Sequence, residues 1–201
     1  MRWASACLAL LLSLVVLSGC DDDQAKQLRE ATKADLNRLM LTDDDTGSSY
    51  VVIRDDIEGV VSPCLPEDQI CHVVLEPTAT PGDGTVCAYV GVQWFTSVEM
   101  AHEAFETVRN AYTEAAQDPE LGPKILDPDG LVDKAVASYW QHSNPVCSPP
   151  AEPAHQYGVI FQRSNLHASV NLWSIDEQSP EQVVSLARKQ EKRIESVLAA
   201  D

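Results

Sequence analysis

The sequence predicts an α+β domain: one curved antiparallel sheet of about five to six strands, flanked by two or three helices, with a cleft between sheet and helices. Three observations lead there. Strand-like runs come in consecutive groups joined by short, turn-rich loops, which favours antiparallel pairing over the long crossovers of a parallel sheet. Each group is followed by a long amphipathic stripe of helical period. The chain has 201 residues, 44 % of them hydrophobic, enough for one core and short for two.

The elements follow in order. Gln24 to Leu41 has helical spacing, with Leu28, Ala31, Leu36, Leu39 and Met40 near one face. It runs into TDDDTGSS, whose spacing does not complete an EF-hand and reads as a capped turn. Tyr50 to Arg54, Ile57 to Val61 and Ile70 to Leu75 are β-branched runs bounded by acidic or glycine turns. After the loop EPTATPGDG, Thr85 to Phe95 carries bulk on both faces and reads as a central strand. Thr96 and Glu99 form a capping box opening a helix to about Gln117, with Val98, Ala101, Phe105, Val108, Tyr112 and Ala115 as its apolar stripe. That stripe is read as core packing. A turn-rich connector leads to a strand from Leu131 to His142. Tyr157 to Gln162 and Leu166 to Ile175 make a hairpin around Arg163, Ser164 and Asn165. Ser179, with Pro180 at the first helical position and Gln182 completing the cap, starts a last helix that turns Val183, Ala187, Ile194 and Val197 inward. The two strand-then-helix halves raise the question of an internal duplication.

Residues 1–19 differ from the rest. A positive start at Met1-Arg2, an apolar stretch from Ala4 to Val16 too short to span a bilayer comfortably, and small residues at Ser18-Gly19 read as a secretory signal. Its end, Leu17-Ser18-Gly19-Cys20, matches the lipobox of bacterial lipoproteins. On that resemblance Cys20 becomes the first mature residue and carries the lipid, residues 20–27 form a short tether, and residues 28–201 form a single domain. The expected location is the cell membrane, with the domain lipid-anchored on the extracytoplasmic side.

Thirty-one acidic against 14 basic residues give a net charge of −17. Such a field repels nucleic acid, and no basic patch overcomes it. The basic group Arg188, Lys189, Lys192 and Arg193 is placed in the last turns of the final helix, where cations complement its dipole. Of six cysteines, Cys7 leaves with the signal and Cys20 is lipidated, so Cys64, Cys71, Cys87 and Cys147 remain for two disulfides with three connectivities. The favoured pairing joins Cys64 to Cys71 across a turn-like LPEDQI, and Cys87 to Cys147 by elimination.

No Gly-x-Ser-x-Gly elbow and no phosphate-cradling glycine loop occurs, and the position four residues after His102 is Glu106, so a zinc-protease helix fails. His72, His142, His155 and His167 are scattered, so no catalytic residue, metal site or cofactor is assigned. The aromatic residues on strands are read mainly as core, with Trp140, Trp173, Tyr139 and Tyr157 as candidate cleft-lining residues for a small molecule, a glycan or an envelope protein.

The lipobox, LNRLMLTDDDTGSSYVVIRDD, the four cysteines, FTSVEMAHEAFETV after a strand, the FQRSNLHASVNLW hairpin and the closing SPEQVVSLARKQEKRI helix together resemble actinobacterial lipoproteins similar to the extracellular sensor domain of a mycobacterial serine/threonine kinase. The resemblance implies an antiparallel sheet with two large helices bounding a cleft, two disulfides, and a non-catalytic ligand-binding or sensing role. An envelope hydrolase acting through clustered carboxylates and histidines, and an accessory interaction protein, are the competing readings.

Overall fold

The computed structural model describes residues 28–53, 64–65, 70–78, 86–118, 120, 122–127, 131, 134–142 and 154–199. The expected leader, Cys20, the expected tether, the strand expected from Ile57 to Val61, and Cys147 lie outside the described residues. Among the described residues eight strands are found: β1 Tyr50–Ile53, β2 Cys64–Leu65, β3 Ile70–Pro77, β4 Val86–Trp94, β5 Lys124–Leu126, β6 Ala135–His142, β7 Ala154–Arg163 and β8 Leu166–Ser174. They form one open antiparallel sheet in the order β1-β3-β4-β8-β7-β6-β5, with β2 also on β3. The five strands of eight or more residues, β3, β4, β6, β7 and β8, carry the sheet, and the three short ones extend its edges. The α+β class is therefore the one expected.

Successive strand residues face opposite sides, so the register sorts every position onto one of two faces. Ala88, Val90 and Val92 of β4 lie beside Leu172, Val170 and Ala168 of β8, and these beside Tyr157, Val159 and Phe161 of β7; all are buried. This first face is covered by helix α4, Pro180–Leu198, which contributes Val183, Leu186, Ala187, Ile194 and Leu198 to the same core. Ser179 caps α4 by accepting the Glu181 amide, with Pro180 in the first turn, as its sequence predicts.

Helix α3, Val98–Ala115, lies on the other face. There His167 donates Nε2–H to the Ala101 carbonyl at 2.5 Å, with the Phe95 and Phe105 rings 4.7 and 6.0 Å from its own. Burial holds His167 below the usual histidine pKa, so it remains neutral and serves as a packing group beneath α3. The helix cap is Ser97, whose hydroxyl accepts the Met100 amide, and not the expected Thr96, whose hydroxyl is turned to the Met100 sulfur. About the β4–β8 seam, where a duplication would place its axis, the order runs β4-β3-β1 on one side and β8-β7-β6-β5 on the other. A two-fold axis there would put both long helices on one face, but they occupy opposite faces.

The N-terminal helix is the main correction. Leu28 bridges Ala199 in extended conformation, and among the described residues helical structure starts with a 3-10 turn at Lys33–Asp35 and the single turn α1, Leu36–Leu39. Two interactions hold the chain extended up to Thr32. The buried Asn165 side chain accepts the Ala31 amide at 2.7 Å and donates to the Ala31 carbonyl at 3.0 Å. Thr32 then caps the turn with Asp35, which accepts from the Thr32 amide and hydroxyl and pairs with Arg29 through two bonds of 2.8 and 2.9 Å. The acidic run beyond is α2, Asp43–Thr46, closed by the same Thr–Asp box at Thr42 and Asp45.

The basic residues of α4 are also placed differently. The helix continues to Leu198, so none lies in its last turn. Two of them and a neighbouring amide instead close other helical turns: Lys189 donates to the Thr46 carbonyl at 2.9 Å, Arg193 to Arg38 at 2.8 Å and Gln190 to Leu39 at 2.7 Å. These carbonyls end α1 and α2, where a helix leaves its acceptors without partners. A core helix thereby fastens two turns too short to persist alone.

Candidate functional site

Helix α3 covers only part of the second face, and the uncovered part is built from short rows across the strands. One row holds Trp140 on β6, Gln156 on β7, Trp173 on β8 and Cys87 on β4; the next holds Ser138, Gly158, Asn171 and Tyr89. The row after that places Ile160, Ser169 and Gly91 side by side, where the sheet passes beneath α3. Between them and Val108 of α3 a cavity of about 220 Å³ remains, with Gln93 and His167 on its wall.

Aromatic rings flank this strip. Trp140 meets Tyr112 of α3 edge-on at 6.2 Å, and Tyr89 meets Trp173 edge-on at 6.3 Å. Burial pushes the Tyr89 phenol up to about 12 and raises that of Tyr112, which also shares a hydrogen bond with Ser138. Both rings are thus neutral at physiological pH. The floor between the aromatic pairs is low because Gly158 has no side chain: a Cβ there would stand 3.0 Å from Asn171 Oδ1 and 3.4 Å from Ser138 Oγ. Gln156 donates to Asn171 Oδ1 at 3.3 Å.

A second opening of about 510 Å³ lies on the first face, between the start of α4 and the β1 edge, lined among others by Tyr50, Glu181, Ser185 and Lys189. It is a broad surface groove whose lysine is already bonded to the Thr46 carbonyl.

The fold resembles a known extracellular domain. The extracellular domain of PknH from Mycobacterium tuberculosis superposes with a TM-score of 0.53 at 13 % identity, over 85 % of this chain and 100 % of that one. A STAR-related lipid transfer protein from Xanthomonas axonopodis aligns at a TM-score of 0.27 and 12 % identity, over 76 % of this chain and 99 % of that one. No known protein family and no curated protein matches the sequence. The likeness to the PknH domain establishes the architecture alone.

The four aromatic residues expected to line one cleft are divided between the faces. Trp140 and Trp173 belong to the second face, on one row two strands apart. Tyr139 and Tyr157 belong to the first, with ring centres 5.0 Å apart. The Tyr139 hydroxyl is bonded to His155 Nδ1 at 2.8 Å, and the buried Tyr157 hydroxyl accepts the Gln178 amide at 3.1 Å, so both are tied into the fold. Of the cysteines, Cys64 and Cys71 are direct partners across β2 and β3. Cys87 is buried and disulfide-bonded. Among the described residues no His, Cys, Asp and Glu side chains gather as a metal cluster would.

Gln156, Asn171, Ser169 and Gln93 were not singled out by the sequence. The signal was present in β8, where His167, Ser169, Asn171 and Trp173 alternate with the apolar Leu166, Ala168, Val170 and Leu172. A strand with one apolar and one polar face normally turns the polar one to water. Here that face is half covered by a helix.

Proposed function

We propose that the chain is a lipid-anchored cell-envelope lipoprotein whose domain binds or senses a ligand on the extracytoplasmic side without catalysing a reaction. The observation that carries the binding reading is the half-covered second face, where a cavity beneath α3 opens onto a strip of neutral polar groups between aromatic rings. A sheet face serving only as core is filled with apolar side chains, as the first face is. The extracellular origin of the PknH domain supports the extracytoplasmic assignment. Anchoring rests on Leu17 to Cys20, and the two disulfides, Cys64 to Cys71 and Cys87 to Cys147, suit such an oxidising compartment. Cys64 and Cys71 stand opposite one another in neighbouring strands, a spacing that suits a bridge. The hydrolase reading has less support, since His155 is tied to Tyr139 on the first face while His167 is buried under α3 on the other.

Three measurements test the proposal. Metabolic labelling with a fatty-acid precursor should mark the wild-type protein and fail to mark Cys20→Ala; equal labelling of both would refute anchoring at Cys20. Native mass spectrometry of protein extracted gently from its own membrane should show a reproducible retained mass, and a uniformly ligand-free spectrum would count against binding. Nonreducing peptide mapping that found free thiols at Cys64 and Cys71 would overturn their pairing.

A further inference from the structure

We infer that the ligand of the second sheet face is an uncharged oligosaccharide, with one ring held in the cavity under α3 and the next lying along the strip toward Trp140. This rests on the ligand-binding reading above and adds the chemical class.

Unused hydrogen-bonding capacity carries the inference. The side chains of Gln93 and Ser169 have no hydrogen-bond partner among the described residues, and the Gln156–Asn171 bond leaves the Asn171 NH₂ and the Gln156 carbonyl oxygen unengaged. These four half-buried groups follow one another from the cavity out along the strip, and together they offer both donors and acceptors. None of these open atoms is closed off from solvent, so an aligned run of them is accessible to a ligand with many hydroxyls. Sugar rings also present apolar C–H faces, which suit the indole of Trp140 at the edge of the strip.

Charge narrows the class. None of the four polar groups is ionisable, and a protein of net charge −17 holds an anionic ligand poorly without a cationic side chain to receive it. Size narrows it further. A space of about 220 Å³ falls below the roughly 300 to 1,000 Å³ of pockets that enclose a drug-sized molecule, so it suits a single ring. Trp140 and Trp173 are two strands apart, about 10 Å, which leaves room on the open strip for a further ring.

The test titrates the full-length lipoprotein in detergent micelles with neutral oligosaccharides of glucose, mannose and N-acetylglucosamine, and with uronic-acid oligosaccharides, following tryptophan fluorescence and calorimetry. At least one neutral series should bind. Asn171→Ala and Trp140→Ala should each weaken it about tenfold, the effect of losing ~1.4 kcal/mol of contact. Gly158→Ala should weaken binding while the protein still melts cooperatively, because its new methyl displaces the Asn171 amide without touching the first-face core. Neutral-sugar binding that ignores all three substitutions overturns the proposal, as does equal or tighter binding of the uronic acids. If no neutral sugar binds, but native mass spectrometry finds another retained mass that Gly158→Ala releases, the sugar class is wrong and the binding reading survives. If no sugar binds and nothing is retained, both fall.

Discussion

Replacing Asn165 with alanine should be among the most damaging single changes outside the apolar core. The residue is 1 % exposed and sits in the tight turn between β7 and β8, after Ser164 at φ 53°. Its side chain makes three bonds of 3.0 Å or shorter, and the Ser164 hydroxyl donates a longer fourth to Oδ1 at 3.5 Å: Oδ1 accepts the Ala31 amide at 2.7 Å, and Nδ2 donates to the carbonyls of Ala31 at 3.0 Å and Phe95 at 2.8 Å. One side chain thus joins the N-terminal segment, the end of β4 and the central hairpin. Three net hydrogen bonds at about 1 kcal/mol each, plus a further penalty of about 1 kcal/mol for the buried groups left without a partner, give a loss of roughly 4 kcal/mol. The Ala31 carbonyl is spared part of that penalty, because Trp94 Nε1–H still reaches it at 2.7 Å. Urea unfolding followed by circular dichroism should show a lower midpoint with an unchanged slope. Asn165→Asp should be as harmful at neutral pH, since it turns a carboxylate toward two carbonyl oxygens, and should recover in part as acid protonates that carboxylate. A loss under about 1 kcal/mol for Asn165→Ala, within the range of an ordinary surface change, would refute the claim that this amide holds the N-terminal segment in place.

Two further outcomes are expected. The Arg29 guanidinium, with the Thr32 amide and hydroxyl, holds the Asp35 carboxyl far below the ordinary carboxylate range, so its contribution is complete above the unfolded pKa of about 4 and is lost as pH falls through the folded value. Asp35→Asn should therefore cost stability at neutral pH, and denaturation curves of the two proteins should draw together below about pH 4; a difference that stays constant across that range contradicts the assignment. Gly122→Ala should destabilise by about 2 kcal/mol or more, because its Cβ would run into the Ala115 carbonyl oxygen at the end of α3 and lie 2.6 Å from that of Asp118 just beyond it; an unchanged melting temperature would mean that the connector moves aside freely.

Most of the sheet and both long helices are legible because their signals are local and repeated. The alternation of β8, the stripe of α3 and the Ser179–Pro180 start of α4 each fix an element without reference to the rest. The N-terminal helix failed for the opposite reason. Leu28, Ala31 and Leu36 have helical spacing, but a distant asparagine and the end of α4 supply the partners that keep residues 28 to 32 extended. The short edge strand β5 lay unread in the connector, because three residues carry too little alternation to stand out. The candidate cleft was misjudged by pleat. Tyr139 and Trp140 are consecutive in one strand and so cannot line the same face. That Trp173 shares a face with Trp140, and Tyr157 does not, depends on a register that becomes visible only once β6, β7 and β8 are paired.

The bridge between Leu28 and Ala199, reinforced by the Arg29 amide on the Leu198 carbonyl at 3.1 Å, brings the first and last described segments to one pole. A pull arriving from upstream of Leu28 meets this small clasp and the Arg29–Asp35 pair before it reaches any strand. Held from upstream of Leu28, the domain would hang as a pendant: tension would loosen the suspension point first, while the sheet and the face that α3 half covers stay unloaded.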